Sequence, residues 1–244
     1  MKAISIITVV YNGEDVISPT LDSVHAQDYD GIEYIIIEGA STDKTISLVK
    51  KHPVEISRLV SEPDKGIYDA MNKGMQIAKG DYLLFLNAGD ALANPTVISE
   101  IMALPKADIY YGETMLIDEH RNHLGNRSEL TTRQLPDNLN WKSLKEGLVV
   151  SHQSFIVKRD LSPPYILNNL SADIDWVIKC LKASDTVIRY DGIISEFLVG
   201  GISDQKKFVS LRDRFFVLAD HYGYMQAILS HLWFVLRWIL KKWS

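Results

Sequence analysis

A single cysteine, Cys180, among 244 residues excludes an internal disulfide framework and fits a reducing compartment. It lies in a helix-like segment and reads as a small core residue rather than a nucleophile. A net charge of −5 supplies no basic field, so nucleic acid is not an expected partner. No uninterrupted apolar run approaches the ~18 residues of a spanning helix. Lys2 leads at once into a short β-branched stretch with no small-residue cleavage site, so no signal peptide is expected either. There is no G-x-G-x-x-G and no Gly-rich phosphate loop with basic residues after the first strand, which argues against a dinucleotide-binding dehydrogenase and a sugar-nucleotide pyrophosphorylase. Repeats and low-complexity tracts are missing, as is any Ser/His/Asp or Cys/His set that would suggest a covalent nucleophile.

What is present is regular alternation. Residues 3–10 predict a fully buried strand, residues 14–26 a helix that tolerates Pro19 near its first turn, and Tyr34–Ile37 a second buried strand. Ser41 is placed to cap the next helix, with Asp43 in its first turn. Ile56–Val60 reads as a weaker strand, Ile67–Lys79 as a helix stopped by Gly80, and Tyr82–Leu86 as a third strong strand. A helix over 95–104 and a strand at Ile109–Tyr111 follow. Near-continuous apolar strands separated by helices indicate an α/β chain whose mostly parallel, Rossmann-like sheet is covered on both faces. After residue 113 the pattern loosens: residues 118–147 are polar, with a turn at Asp118–Asn122. Val149–Val157 and Val187–Tyr190 read as strands, 172–183 as a helix, and 205–243 as two helices broken at Tyr222-Gly223.

Polar residues leaving the C-terminal ends of parallel strands face one crevice, where open α/β sheets bind ligands. Four turns do so here: Thr8 to Asn12, Glu38 to Asp43, Asp64-Lys65-Gly66, and Asn87-Ala88-Gly89-Asp90. Asp90, just past Leu83-Leu84-Phe85-Leu86, is a carboxylate suited to a hard divalent cation, although Asn, Gly and Asp also make plain turns. Glu38 directly follows three isoleucines and needs a partner; the segment suits a base or ribose beside a helix N-terminus, or simply caps the helix. Tyr11 is placed to stack on a nucleobase or to pack at the sheet edge, and Lys65 sits where a phosphate could lie or in a solvated loop. In the second half, Asp173 and Asp175 open a helix, where a dipole favours acids and where a general base could face the metal site. His152-Gln153 could line the same cleft.

From Ala227 to Trp243, apolar residues fall at 228, 229, 232, 233, 235, 236, 239, 240 and 243, with Phe234 on the other face. Trp233, Trp238 and Trp243, with Arg237, Lys241 and Lys242 and no acid after Asp220, suit an interfacial helix on an anionic membrane. A terminal helix docked on its own domain or on a dimer partner is the alternative.

Ser61-Glu62-Pro63-Asp64-Lys65-Gly66-Ile67-Tyr68-Asp69-Ala70-Met71-Asn72-Lys73-Gly74, running on through Ala78 to Asn87, resembles the inverting family-2 glycosyltransferases of the GT-A fold, of the bacterial capsule, O-antigen and exopolysaccharide type. Ser151-His152-Gln153-Ser154-Phe155 and Gly200-Gly201-Ile202-Ser203 match later family segments. The resemblance implies a GT-A domain over 1–204, with a nucleotide-binding half to 113 and an acceptor half from 114, followed by amphipathic helices over 205–244. It implies that Thr8 and Tyr11 contact the base, that Glu38 takes the place of the Asp that reads uracil, and that Lys65 and Asn87 lie on the nucleotide side. It further implies that Asp90 holds Mn2+ or Mg2+, that Asp173 is the catalytic base supported by Asp175, and that His152 lines the acceptor cleft. Gly89 stands where many members carry another acid. The implied activity is transfer from a nucleotide-sugar, most simply a UDP-sugar, to a lipid-linked glycan precursor, by a cytoplasmic enzyme bound peripherally at the inner face of the membrane through residues 224–244. A non-catalytic nucleotide-sugar-binding or scaffold relative is the alternative.

Overall fold

The structure, a computed structural model, describes residues 3–131, 133–200 and 207–241, with side chains in the last stretch given for 208–234. Its first half follows the alternation. β1 (Ile4–Val10), β2 (Ile32–Glu38), β3 (Arg58–Ser61) and β4 (Tyr82–Phe85) pair in parallel in the order β3-β2-β1-β4. All seven residues of β1 are buried, as a strand covered on both faces requires. Because side chains alternate across a strand, Ile7, Val9, Ile35, Ile37, Leu83 and Phe85 feed one core, and Ile4, Ile6, Tyr34, Ile36 and Leu84 feed the other. α3 (Ile67–Ile77) lies over the first core, while α1 (Ile17–His25), α2 (Thr45–Lys51) and α4 (Val97–Ala103) cover the second.

The second half completes the sheet. β5 (Ala91–Leu92), β6 (Ile109–Ile117), β7 (His123–Asn126), β8 (Phe155–Lys158) and β9 (Val187–Leu198) extend the order to β3-β2-β1-β4-β8-β6-β9-β5, with β7 on β6. β6 and β9 run parallel, whereas β8 is antiparallel to both its neighbours. β6 and β9 are much longer than the apolar runs at 109–111 and 187–190 suggest, because Gly112-Glu113-Thr114 and Asp191-Gly192 interrupt the apolar pattern while the backbone pairing runs on to Ile117 and Leu198. The turn at Asp118–Asn122 joins β6 to β7: Asp118 Oδ1 accepts from His120 and Asn122 N–H, and Arg121 takes φ 62°. α5 (Arg127–Leu130) and α6 (Ala172–Ala183) follow, then α7 (Lys207–Tyr222) and α8 (Tyr224–Lys241), parted at Gly223 with φ 85°.

Three local expectations are corrected. Ser41 does not cap α2, whose N-cap is Lys44 without a side-chain bond; Ser41 Oγ instead accepts from Asn12 N–H at 2.8 Å. Gly80 is not a left-handed helix stop, since α3 ends in extended backbone at Ala78. A Cβ at Gly80 would stand 2.5 Å from Ser5 N, so glycine is required there for close approach to β1. The expected strand at Val149–Val157 is a short 3-10 turn at His152–Ser154 and a strand only from Phe155. The backbone curls there because Gln153 and Ser154 turn inward, Ser154 Oγ donating to Glu113 O at 3.0 Å.

Candidate active site

The turns after β1 and β2 lock together at the sheet's C-terminal edge. Asn12, held at φ 47°, accepts from Thr42 N–H at 2.9 Å through Oδ1. Gly13 N–H donates to Thr45 Oγ1 at 2.8 Å, Glu14 N–H to Asp43 Oδ2 at 3.0 Å, and Lys44 N–H to Glu14 Oε2 at 2.9 Å. Asp43 therefore serves this clasp as well as its own turn onto Thr45 N–H at 2.9 Å. Above the clasp the Tyr11 ring is 62% exposed. Gly39 lets it close: a Cβ there would lie 2.6 Å from Asp64 Oδ2 and 3.3 Å from Tyr11 Cβ. Tyr11, Gly39 and Asp64 thus form one wall, the last of them a residue that sequence reading set in a turn without a role of its own. Lys65 is exposed beside it, its N–H bonded to Asp69 Oδ2 at 3.0 Å, and Gly66 at φ 112° opens α3.

Two of the expected nucleotide contacts lie inside instead. Thr8 is fully buried and its hydroxyl accepts from Tyr34 Oη at 3.0 Å, so its side chain does not reach the crevice. Glu38 is also buried, and the partners its position demands are Ser41 N–H and Ser61 Oγ. Burial raises its pKa, but the hydrogen bonds from Ser41 and Ser61 outweigh that and hold the carboxylate below its ordinary range.

At the other end of the crevice, Asn87, His152 and Asp173 converge from β4's end, the 3-10 turn and the first turn of α6. Asn87 Nδ2 is 3.3 Å from His152 Nε2, and His152 Nδ1 is 3.9 Å from Asp173 Oδ2. Burial lowers the His152 pKa, against the pull of Asp173, and leaves a neutral imidazole at neutral pH. With the Asn87 amide nitrogen facing Nε2, that nitrogen accepts, and the ring proton sits on Nδ1 toward Asp173. Asn87 Oδ1 is buried without a hydrogen-bond partner. The Asp173 side chain is 22% exposed and its Oδ1 accepts from Ile174 N–H at 2.9 Å. Tyr68 faces it, its phenol raised far above the usual range by burial and by the Asp173 charge. Beneath, Tyr68, Tyr165 and Trp176 stack at 5.3 and 5.0 Å, and Phe85 and Phe155 meet Trp176 edge-on at 5.4 and 5.7 Å. That aromatic block seats the start of α6 on the sheet.

Asp175 points elsewhere, because two residues along a helix turn by about 200°. Its Oδ1 is 2.8 Å from His221 Nε2 and its Oδ2 is 2.8 Å from Lys179 Nζ, so it fastens α6 to α7 rather than supporting Asp173. Asp175, Asp220 and His221 have ligand atoms close enough for a cation, but the Lys179 ammonium already occupies the Asp175 carboxylate.

Asp90 is buried to 3% exposure. Its Oδ2 accepts from Gln153 Nε2 at 2.8 Å and its Oδ1 from Leu198 N–H at 3.1 Å, while its own carbonyl accepts from Thr20 Oγ1 at 2.7 Å. Gly89 explains the missing neighbouring acid: it sits at φ 100°, and a Cβ would lie 2.9 Å from Leu198 Cδ2. One carboxylate, buried and with both oxygens taking hydrogen bonds, does not fit the open oxygen site a divalent ion needs.

A family model described as glycosyl transferase family 2 matches residues 5–162, more than half of the chain. The chain belongs to glycosyl transferase family 2. The PGL/p-HBAD biosynthesis glycosyltransferase of Mycobacterium bovis is 29% identical over 215 residues, covering 82% of this chain and 78% of the relative. A glycosyltransferase of Mycobacterium tuberculosis is 40% identical over 98 residues, only 40% of this chain and 37% of that protein's own length. Among solved structures, S. aureus TarS 1–349 in complex with UDP-GlcNAc superposes with a TM-score of 0.66 at 15% identity, over 88% of this chain and 65% of that one. Pyrobaculum calidifontis PcManGT, in complex with GDP-Man and Mn2+, gives 0.59 at 15% identity over 93% of this chain and 73% of that one. The fold is GT-A, and the family to which the chain belongs is one of glycosyltransferases.

Within this family member, Tyr68, Arg127 and Arg214 stand within electrostatic reach of Asp173 without having been singled out from sequence, and Asp64 joins the wall beside Tyr11. Gln153, expected to line the cleft, is instead buried against Asp90. Of the residues missed, Asp64 and Tyr68 lie in segments that carried a motif signal, and the two arginines do not. Burial raises the Asp90 pKa to about 7 against the Leu198 and Gln153 hydrogen bonds. Stability drawn from a group raised this way is fully present below pH ~4 and is lost as pH climbs through about 7. Urea unfolding across that window should therefore show wild type losing stability relative to Asp90→Asn; a constant difference would contradict the assignment.

Proposed function

We propose that this glycosyltransferase moves one sugar from a UDP-sugar to a hydroxyl of a lipid-linked glycan precursor, with inversion. The observation that carries the reading is Asp173, a partly exposed carboxylate in the first turn of α6, beside the neutral His152 and over the crevice's floor. As general base, Asp173 takes the acceptor proton while the oxygen attacks the anomeric carbon from the face opposite the nucleotide. The carbon–oxygen bond to the diphosphate breaks as the new one forms, and UDP departs. Tyr11, with Gly39 and Asp64 behind it, suits a stacked nucleoside, Lys65 suits its diphosphate, and Asn87 lies where donor sugar and His152 would meet. TarS and PcManGT, which share the fold, were solved with UDP-GlcNAc and GDP-Man.

Mn2+ or Mg2+ enters this reading as a companion of the donor's diphosphate, with Asp90 not its ligand. The transfer unit is taken as residues 1–204 and the helices from 205 as its mooring. Among the described residues no helix is long and apolar enough to cross a membrane. α8 instead turns Met225, Leu229 and Leu232 outward at 72%, 55% and 62% exposure, while Ala227 and Ser230 face in. That outward stripe supports a peripheral position on the inner face of the cytoplasmic membrane. The side chains of Arg237, Trp238 and Lys241, and residues 242–244, lie outside the described residues. The buried Asp90 and the glycine at 89 favour the second reading, a non-catalytic relative that binds a nucleotide-sugar.

Asp173→Asn should lower UDP release in the presence of acceptor by roughly 10²–10⁴-fold, with UDP binding retained; a loss under tenfold would remove the base role. A metal acting as central Lewis acid is worth several kcal/mol, a factor of roughly a thousand or more on removal, whereas EDTA is expected here to cost less than about tenfold. Met225→Asp/Leu232→Asp should abolish co-sedimentation with anionic vesicles while leaving the urea midpoint in place; sedimentation equal to wild type would refute the mooring.

A further inference from the structure

Two arginines, Arg127 and Arg214, lie within electrostatic reach of Asp173, and Arg133 links them on the side toward the C-terminal helices. Arg127 of α5 donates to Val149 O at 2.9 Å and to Leu148 O at 2.7 Å. Arg133 packs on the adjoining Gly147, where a Cβ would lie 3.4 Å from its Nη1. Its guanidinium stands 5.2 Å from the Phe234 ring centre, and Arg214 of α7 lies over the same ring at 5.7 Å. One segment thus joins Arg127 to Arg133, and one ring joins Arg133 to Arg214.

The carboxylates whose charge reaches Arg127 and Arg214 are Asp173 and Glu113, and among the described residues neither makes an ion pair within 4.0 Å with these two arginines. Arg214 Nε is buried without a hydrogen-bond partner. Burial holds both guanidiniums below their ordinary pKa, and Arg127 is lowered further by Arg214. Half-buried cations so arranged, one with an unpartnered buried Nε, gain when an anion joins them. A planar guanidinium with free N–H groups matches phosphate oxygens better than any neutral ligand.

We infer that Arg214, with Arg127 beside it, forms a subsite for a phosphate ester next to the proposed base. The inference rests on the transferase reading for its place in the reaction, and two sources offer the chemistry. One is the phosphate that joins an acceptor's sugar to its lipid, arriving along the outward apolar stripe of α8. The other is the diphosphate leaving the donor. Either way, the subsite accounts for charge neutralisation that Asp90 cannot arrange through a cation.

The test compares full-length wild type, Arg214→Gln and Arg214→Lys by calorimetric titration with geranyl phosphate and, separately, with UDP. Arg214 makes no hydrogen bond to a described residue, so matching urea midpoints are expected; should Arg214→Gln lose its cooperative transition, Arg214→Lys, which keeps the charge without the fork, carries the comparison. Loss of a charge-assisted bond should weaken geranyl phosphate at least about tenfold, with UDP within about twofold, identifying the acceptor's phosphate. A tenfold loss for UDP alone assigns the same subsite to the donor's diphosphate. Both affinities within about twofold of wild type, or no binding of either anion by wild type, overturn the subsite. Wild type that binds geranyl phosphate through Arg214 but does not bind UDP would instead sink the transferase reading and leave the subsite standing.

Discussion

The buried Asp90 carboxylate is the constraint on which the two halves of this molecule depend. It sits past the last parallel strand of the nucleotide half and accepts from Gln153, beside His152, and from Leu198 N–H at the end of β9. Thr20 closes the same knot from α1, donating to Asp90 O and accepting from Gly89 N–H at 3.0 Å. Arg121 reaches Gly89 O at 3.2 Å from the β6–β7 turn. A charge in such a place costs heavily unless its donors are well aligned. Here the donors come from elements of both halves, and even together they offset only part of that cost, so the carboxyl holds its proton up to about pH 7.

This arrangement separates roles that the sequence motif runs together. The strand-end acid is committed to architecture, while Asp173, the base proposed above, arrives from the other half of the chain. Asp173 is held by an aromatic block rather than by ion pairs, which leaves its Oδ2 turned to the crevice and to His152. Asp175, two residues on, is consumed in pinning α6 to α7.

Much of the fold was legible because parallel strands buried on both faces announce themselves: Ile4–Val10 and Ile32–Glu38 need no partner information to be recognised. α6 matched its expected bounds of 172–183 for a similar reason, an apolar pattern opened by two acids. The misreadings share a cause. Ser41, Asp43 and Asn12 bind each other across some thirty residues, and no local rule for caps foresees a long-range clasp. Gly80 looks like a helix stop, but its reason is the backbone of β1. Asp90 reads as a ligand because a polar residue after a strand usually faces solvent; what turns it inward is Gln153 and Leu198, far away in sequence. Arg127 and Arg214 carry no motif at all and meet only through Phe234 and the 147–149 segment.

The clasp between the first two turns has a consequence for how a donor would be received. Asn12, Gly13 and Glu14 are already tied to Ser41, Thr42, Asp43, Lys44 and Thr45 without any ligand, so the floor under Tyr11 is rigid beforehand. Little ordering entropy is then charged to capture of the nucleoside. Selectivity among bases becomes a matter of shape against a fixed surface, and the adaptable part of recognition is left to the sugar and to whatever accepts it.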